Sequence, residues 1–268
     1  MHQVTQTRKT SRPPATPRVA VRPSLTARSV LASALLGEDP PVLPVAHLVR
    51  LASLFGINEN RARVALSRMV AAGEATTDGA GRYRLAGHLL GRQRRQLASR
   101  GGSTGPWRGD WTLVVVTSAG QPAEVRTARR RALAYARLAE LREGVWLRPA
   151  NLEVVVAEAV APDVVRLSAR PADPAALAGR LWPLEQWAAR ARALADALAA
   201  RPPRDFSDLA PGFELSAAVL RHLQADPLLP PALLPAGWPG RRLRTLYDAW
   251  DGRYRTLLVD WSRQVGGG

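Results

Sequence analysis

The sequence predicts an α+β chain in three parts, and three observations carry that prediction. Residues 45–85 hold two apolar helical periodicities separated by a glycine and followed by a short hairpin pattern. Residues 107–173 change to β-branched strand runs around one helical stretch. Residues 174–268 return to helical periodicity throughout.

Taken in order, residues 1–23 are rich in Thr, Arg, Pro and Ser without an apolar core, so they read as a disordered basic arm and not as a secretory signal. Pro13, Pro14, Pro17 and Pro23 also spoil the amphipathic helix of a transit peptide. Residues 25–36 read as an opening helix with Leu31, Ala34 and Leu35 turned inward, ended by Gly37 and the loop Asp39-Pro40-Pro41. Val45, Leu48, Val49, Ala52 and Phe55 then recur at the spacing that lays one apolar stripe along a helix. Gly56 suits the left-handed conformation that closes it, Asn58 caps the next helix, and Glu59 suits that helix's positive first turn.

In the second helix Ala62, Ala65, Leu66, Met69 and Val70 share one face, whereas Asn60, Val64, Ser67 and Ala71 lie opposite, flanked by Arg61, Arg63 and Arg68. Gly73 ends it. Residues 75–78 and 82–85 read as two strands joined at Asp78-Gly79-Ala80-Gly81, with Arg82 and Arg84 beside the tip. Two helices, a tight turn and a ribbon over 24–87 make the outline of a winged helix-turn-helix. Small residues let a helix enter the DNA major groove, and flanking guanidinium groups suit phosphates and guanine edges. The candidate DNA-binding residues are therefore Asn58, Asn60, Arg61, Arg63, Val64, Ser67 and Arg68 on the helix, with Arg82 and Arg84 on the wing. The competing reading is a helical hairpin with a solvated basic face.

Residues 88–100 form a basic helix carrying Arg92, Arg94 and Arg95, and 101–106 is a Gly- and Ser-containing linker, so 88–106 is assigned as a connector. The linker matches G-x-S-x-G, but the nucleophile elbow needs a strand before the serine and a helix after it, and here the order is reversed. In 107–173, strands are expected at 111–117, 145–147, 153–157 and 164–168 with a helix at 124–138, a small domain of ferredoxin-like type. The helical part over 174–268 holds periodic stretches at 177–200, 215–224 and 241–263, with a proline-stiffened turn at 226–231.

Composition bounds the function. The chain has 268 residues, 46% of them hydrophobic, enough for several small cores. Its net charge of +16 points to an anionic partner. All basic residues but Lys9 are arginine and alanine is abundant, as a GC-rich genome would produce, so the sign of the charge is informative and the choice of arginine is not. There is no cysteine, which excludes disulfides and thiolate metal sites, and no apolar run approaches the roughly 20 residues of a membrane span. A cytoplasmic location is expected.

Several stretches together resemble the PaaX-type transcriptional repressors. They are residues 60–68 (NRARVALSR), Trp107-Arg108-Gly109-Asp110-Trp111, Gly144-Val145-Trp146-Leu147-Arg148-Pro149, Asp226-Pro227-Leu228-Leu229-Pro230, and Leu234-Pro235 with Trp238-Pro239-Gly240. The resemblance runs from Leu25 to about Trp261, and the order of the strings carries it more than any one of them. It implies a winged-helix domain, a middle domain similar to the nuclease Cas2, a helical C-terminal domain, a homodimer, and repression relieved by a coenzyme A thioester; the symmetry of a dimer in turn calls for an inverted-repeat operator. The chain departs from the family pattern at Pro183, where an acidic residue is more typical, which bears on the helix geometry there.

A coenzyme A site needs cations for phosphates, a platform for adenine and an apolar slot for the acyl group. Trp107, Arg108, Trp146 and Arg148 are the candidate effector-binding residues on that ground, with core packing as the competing role of the tryptophans. No cofactor is expected beyond such an acyl-CoA effector. A Cas2-like metal-dependent nuclease would need a carboxylate at the end of the first middle-domain strand, and 113–118 offers none, with Asp110 at the wrong end. His2, His47, His88 and His222 show no paired zinc spacing, so no catalytic or metal residues are assigned and no enzyme is expected. The remaining alternative is a non-specific basic nucleic-acid-binding protein.

Overall fold

The computed structural model of the protein describes residues 25–266, so the basic arm expected over 1–23 lies outside the described residues. Helix α1 (Ala27–Leu36) is opened by Thr26, whose hydroxyl accepts a hydrogen bond from the Ser29 N–H at 3.2 Å. Helices α2 (Val45–Ser53) and α3 (Glu59–Ala71) follow, and Gly56 between them has φ of +69°. Leu31, Leu35, Leu48, Leu66 and Met69 close one core among these three helices.

The hairpin strands are β2 (Ala75–Thr77) and β3 (Arg82–Leu85). A further strand, β1 (Val42–Pro44), is not predicted by the sequence; it pairs antiparallel with β3 and makes the wing a three-stranded sheet of order β1-β3-β2. Prolines flank it, which reads as loop, but an edge strand tolerates a missing N–H. Helix α4 (Gly87–Gly101) leaves the wing and packs along the C-terminal helices.

The middle domain comprises β4 (Trp111–Val116), α5 (Ala123–Tyr135), β5 (Ala139–Arg142), β6 (Val145–Pro149) and β7 (Val164–Ala169), in an antiparallel sheet of order β5-β6-β4-β7. This is the ferredoxin-like order, with an irregular segment in place of the second helix. Val114, Leu133, Trp146 and Val154 fill the core beneath α5. The strand expected at 153–157 does not form. β7 has taken the open edge of β4, so this run has no partner; Val154 turns into the core, Arg166 donates to its carbonyl at 3.2 Å, and Val155 is 73% exposed. Strand β5 is likewise not predicted, and α5 stops short of 138 because Arg137 adopts φ of +61°.

The C-terminal helices are α6 (Pro174–Leu181), α7 (Leu184–Ala200), α8 (Leu209–Gln224) and α9 (Gly240–Gly266). The single helix expected over 177–200 is broken at Trp182-Pro183, because proline has no N–H to continue the ladder and holds Trp182 extended at φ −127°, ψ 137°. Ala191, Leu209, Val219, Leu243 and Tyr247 form the core of this part, and Trp111, Leu147, Ala178 and Leu229 join it to the other face of the middle sheet. Gly212 sits where a Cβ would meet the Tyr254 ring at 2.6 Å, so only glycine lets α8 and α9 approach so closely.

Arginines knit the three parts together. Arg148 on β6 donates to the Leu228 carbonyl at 3.2 Å and to the Asn151 side chain at 3.1 Å, and Asn151 donates to the same carbonyl at 2.9 Å. Arg137 donates to the Asp226 carbonyl and, at 2.6 Å, to Ser99 Oγ on α4. Arg244 pairs with Asp226 at 2.9 Å and lies over Gly102, where a Cβ would come within 2.3 Å of its Nε. Within 101–106, Gly102 thus lies against α9, and the Gly105 N–H donates to the Asn151 carbonyl at 2.8 Å. Among the described residues no helix is long and apolar enough to cross a membrane.

Candidate nucleic-acid interface

The α3 face opposite the core is built by the helical period. Ala62, Leu66 and Met69 are buried, which fixes the roll of the helix and turns Asn60, Arg61, Val64, Ser67 and Arg68 outward. Asn58 is the cap: its Oδ1 accepts from the Arg61 N–H at 2.9 Å. Its side chain is therefore engaged at the helix terminus. Arg63 Nε lies 2.7 Å from Glu59 Oε1, an exposed i,i+4 pair worth about 0.5 kcal/mol, which a phosphate can displace. Arg61 and Arg68 have no carboxylate partner among the described residues.

In the wing, Arg82 and Arg84 alternate with Tyr83 and Leu85, so the arginines are exposed while Leu85 enters the core. The tip is held by Asp78, whose carboxylate accepts from the Ala80 and Arg82 N–H groups at 2.9 and 3.0 Å. The Val45 N–H donates to the Gly81 carbonyl at 2.7 Å, which ties the wing to the start of α2 and fixes its position relative to α3. Thr76 stands directly opposite Arg84 in the β2–β3 register and is exposed, so it joins the same basic face. It is not among the expected site residues, although the hairpin register read from the turn pairs it there.

A buried carboxylate anchors α1 to the turn after α3. Arg28 Nε donates to Glu74 Oε2 at 2.8 Å, a second short bond joins the same two groups, and His88 Nε2 lies 3.8 Å away. The Arg28 hydrogen bond holds the Glu74 carboxyl below its usual range, against the opposing effect of burial. A depressed carboxylate contributes stability that is present above the unfolded value of about 4.3 and is lost as pH falls through the folded one. Because Arg28 is half exposed, the pair contributes only about 1 kcal/mol. Glu74→Gln is expected to lower stability by that amount at pH 7 and by much less near pH 3, as urea denaturation at the two pH values will report.

The four candidate effector residues are not brought together. Trp107 packs with Trp111 on one face of the middle sheet and donates its indole N–H to the Asp110 carbonyl at 2.7 Å. Trp146 lies buried on the opposite face under α5, because successive side chains of β6 alternate. Arg108 is exposed, whereas Arg148 is 1% exposed and committed to carbonyls of the C-terminal part. Burial pushes the Arg148 guanidinium down to about 10, with Arg137 adding repulsion, so it remains charged at neutral pH. Asp110 pairs with Arg170 at 2.5 Å at the start of β4, the end away from Thr117.

Comparison with known proteins adds three family matches in series: the PaaX-like protein model over residues 26–89, the PaaX protein central Cas2-like domain over 104–167, and the PaaX-like protein C-terminal domain over 175–261. A solved structure of an uncharacterized protein from Mycobacterium tuberculosis is 42% identical over 90% of this chain and 100% of its own, with a TM-score of 0.69. Among curated proteins no match was found.

Proposed function

The chain belongs to the PaaX-like protein family of transcriptional regulators, and from that premise we propose that it is a sequence-specific DNA-binding repressor, dimeric on an inverted repeat and released by an acyl-CoA-type effector. One observation carries the reading: α3 presents a small, basic face whose Arg61 and Arg68 are exposed and unpaired among the described residues, beside a wing that presents Arg82 and Arg84. Such a helix fits the major groove, with Arg61, Arg63 and Arg68 available to guanine edges or phosphates and Asn60, Val64 and Ser67 small enough to permit close approach. Asn58 acts through its cap, by fixing the helix N-terminus that faces the backbone.

The wing arginines belong at the adjacent backbone or minor groove. Removing a cation that neutralises one phosphate lowers the salt slope of binding by about one unit. An R82A/R84A protein should therefore bind operator more weakly, with a slope smaller by about two, in anisotropy titrations at several salt concentrations. An unchanged slope removes the wing from the interface.

The family resemblance supplies the effector class, and charge is in keeping with it. A free aromatic acid brings one carboxylate to a protein of net charge +16, whereas a coenzyme A thioester brings several phosphate charges. A gel shift with the DNA upstream of the protein's own gene, run against excess unrelated DNA, tests the regulator reading. Titrating the complex with acyl-CoAs and their parent acids tests the effector. Equal retention of unrelated DNA would favour a non-specific nucleic-acid-binding protein, and release by an acid alone would overturn the thioester.

A further inference from the structure

Helix α4 carries His88, Arg92, Arg94, Arg95 and Arg100 and no acidic residue from Gly87 to Gly101. It starts beside the C-terminal end of α3, where the Ala86 N–H donates to the Glu74 carbonyl at 2.9 Å. Arg94 and Arg95 lie roughly 10–12 Å further along its axis, at about 1.5 Å per residue. Helix α5 is laid against α4 there. The Tyr135 hydroxyl donates to the Gly91 carbonyl at 2.6 Å, and the Arg95 guanidinium stacks on the Tyr135 ring, 4.5 Å from its centroid.

Around this contact cations are in excess. On α5, Arg129 is buried against Ser118 and Asp163, and Arg130 is paired with Glu140, so both are neutralised within the middle domain. Arg131, one turn before Tyr135 on the same side of α5, is exposed and has no carboxylate partner among the described residues. The same holds for Arg94, one turn after Gly91 on α4. Arg95 is held by the ring and by no carboxylate among the described residues. Along that side of α5 the next acid is Glu124, two turns back from Arg131.

We propose that Arg94, Arg95 and Arg131 form a second DNA contact, to the phosphate backbone of the duplex flanking the half-site bound by α3. The proposal rests on the DNA-binding reading above. A duplex bound at α3 continues beyond the half-site with one negative charge per about 1.7 Å of axis, and the distance from the end of α3 to Arg94 and Arg95 is that of about three base pairs. Guanidinium–phosphate contacts of this kind add affinity and fix orientation without reading sequence. Single-stranded nucleic acid is less suited. Base stacking needs a free aromatic face, and the Tyr135 ring is covered on one side by Arg95 and tethered through its hydroxyl.

The test compares two duplexes in anisotropy titrations over a range of salt: the repeat protected upstream of the protein's own gene, and the same repeat extended by about one helical turn (~10 base pairs) of unrelated sequence at each end. The full chain is expected to bind the extended duplex more tightly, with a salt slope steeper by about three units per half-site. An R94A/R131A protein should lose about two of these and match the parent on the short duplex. R94K/R131K, which keeps the charges, should restore the slope, and all three proteins should share one Tm because both side chains are exposed and unpaired among the described residues. Equal slopes of parent and R94A/R131A on the extended duplex overturn the second contact. So does an equal loss on both duplexes, which would place the arginines at the half-site itself, or a loss that R94K/R131K does not restore, which marks a packing role. A single strand of the extended sequence that binds the parent more tightly than the duplex does, and loses that advantage in R94A/R131A, overturns the choice of duplex. If no repeat is protected, the regulator reading fails, and the slopes on one random duplex still decide the face: a drop of about two units per protomer in R94A/R131A upholds the phosphate contact, and equal slopes overturn it.

Discussion

Replacing Arg148 with alanine is expected to lower stability by about 3 kcal/mol, because hydrogen bonds from a buried charged group contribute more than neutral ones and the acceptors they leave stay buried. The guanidinium is almost fully enclosed and reaches the Asn151 side chain and the Leu228 carbonyl, so its loss strips polar groups at the junction of the middle and C-terminal parts. Thermal unfolding should show Tm lower by roughly 6–12 °C. Arg108→Ala, which removes an exposed cation at the entry to β4, should leave Tm in place. If Arg148→Ala instead kept the parent Tm and lost the response to an effector, the residue would be a ligand contact after all.

The second large effect belongs to α3. Arg61→Ala and Arg68→Ala are each expected to cost about 1–3 kcal/mol of operator affinity, and the double variant up to about the sum, if each arginine reads a separate base pair. Both side chains are exposed and neither holds an ion pair among the described residues, so stability should not change. The distinction between base and backbone contact is readable in the same titrations. A base contact relaxes preference at one position, whereas a phosphate contact weakens every sequence alike. Parent-like operator binding by the double variant would move recognition off this helix.

Much of the winged-helix part was legible because its signals are local. The apolar stripe of α2, the Asn58 cap and the Asp78-Gly79-Ala80-Gly81 tip each depend on neighbours a few residues away, and each is seen in the structure. What escaped depends on distant partners. β1 is a strand only because β3 lies beside it, and residues 153–157 are not a strand because β7 occupies the edge they would need. The break at Trp182-Pro183 lay in the sequence as a proline inside a helical pattern.

The site divides the same way. The outward set on α3 follows from the helical period, which the buried Ala62, Leu66 and Met69 confirm, whereas the convergence of Trp107, Arg108, Trp146 and Arg148 would have needed tertiary information. Nearness along the chain placed Trp146 beside Leu147, and the pleat then put them on opposite faces.

Sequence-specific recognition by α3 is tested most directly by selecting bound duplexes from a random DNA pool with the parent protein and with the Arg61→Ala, Arg68→Ala double variant. The expected result is enrichment of an inverted repeat by the parent, with half-sites about one helical turn or a multiple of it apart, and loss of preference at defined positions of each half-site by the variant. A pool that emerges unenriched from the parent, or a variant that enriches the same repeat equally well, would contradict it.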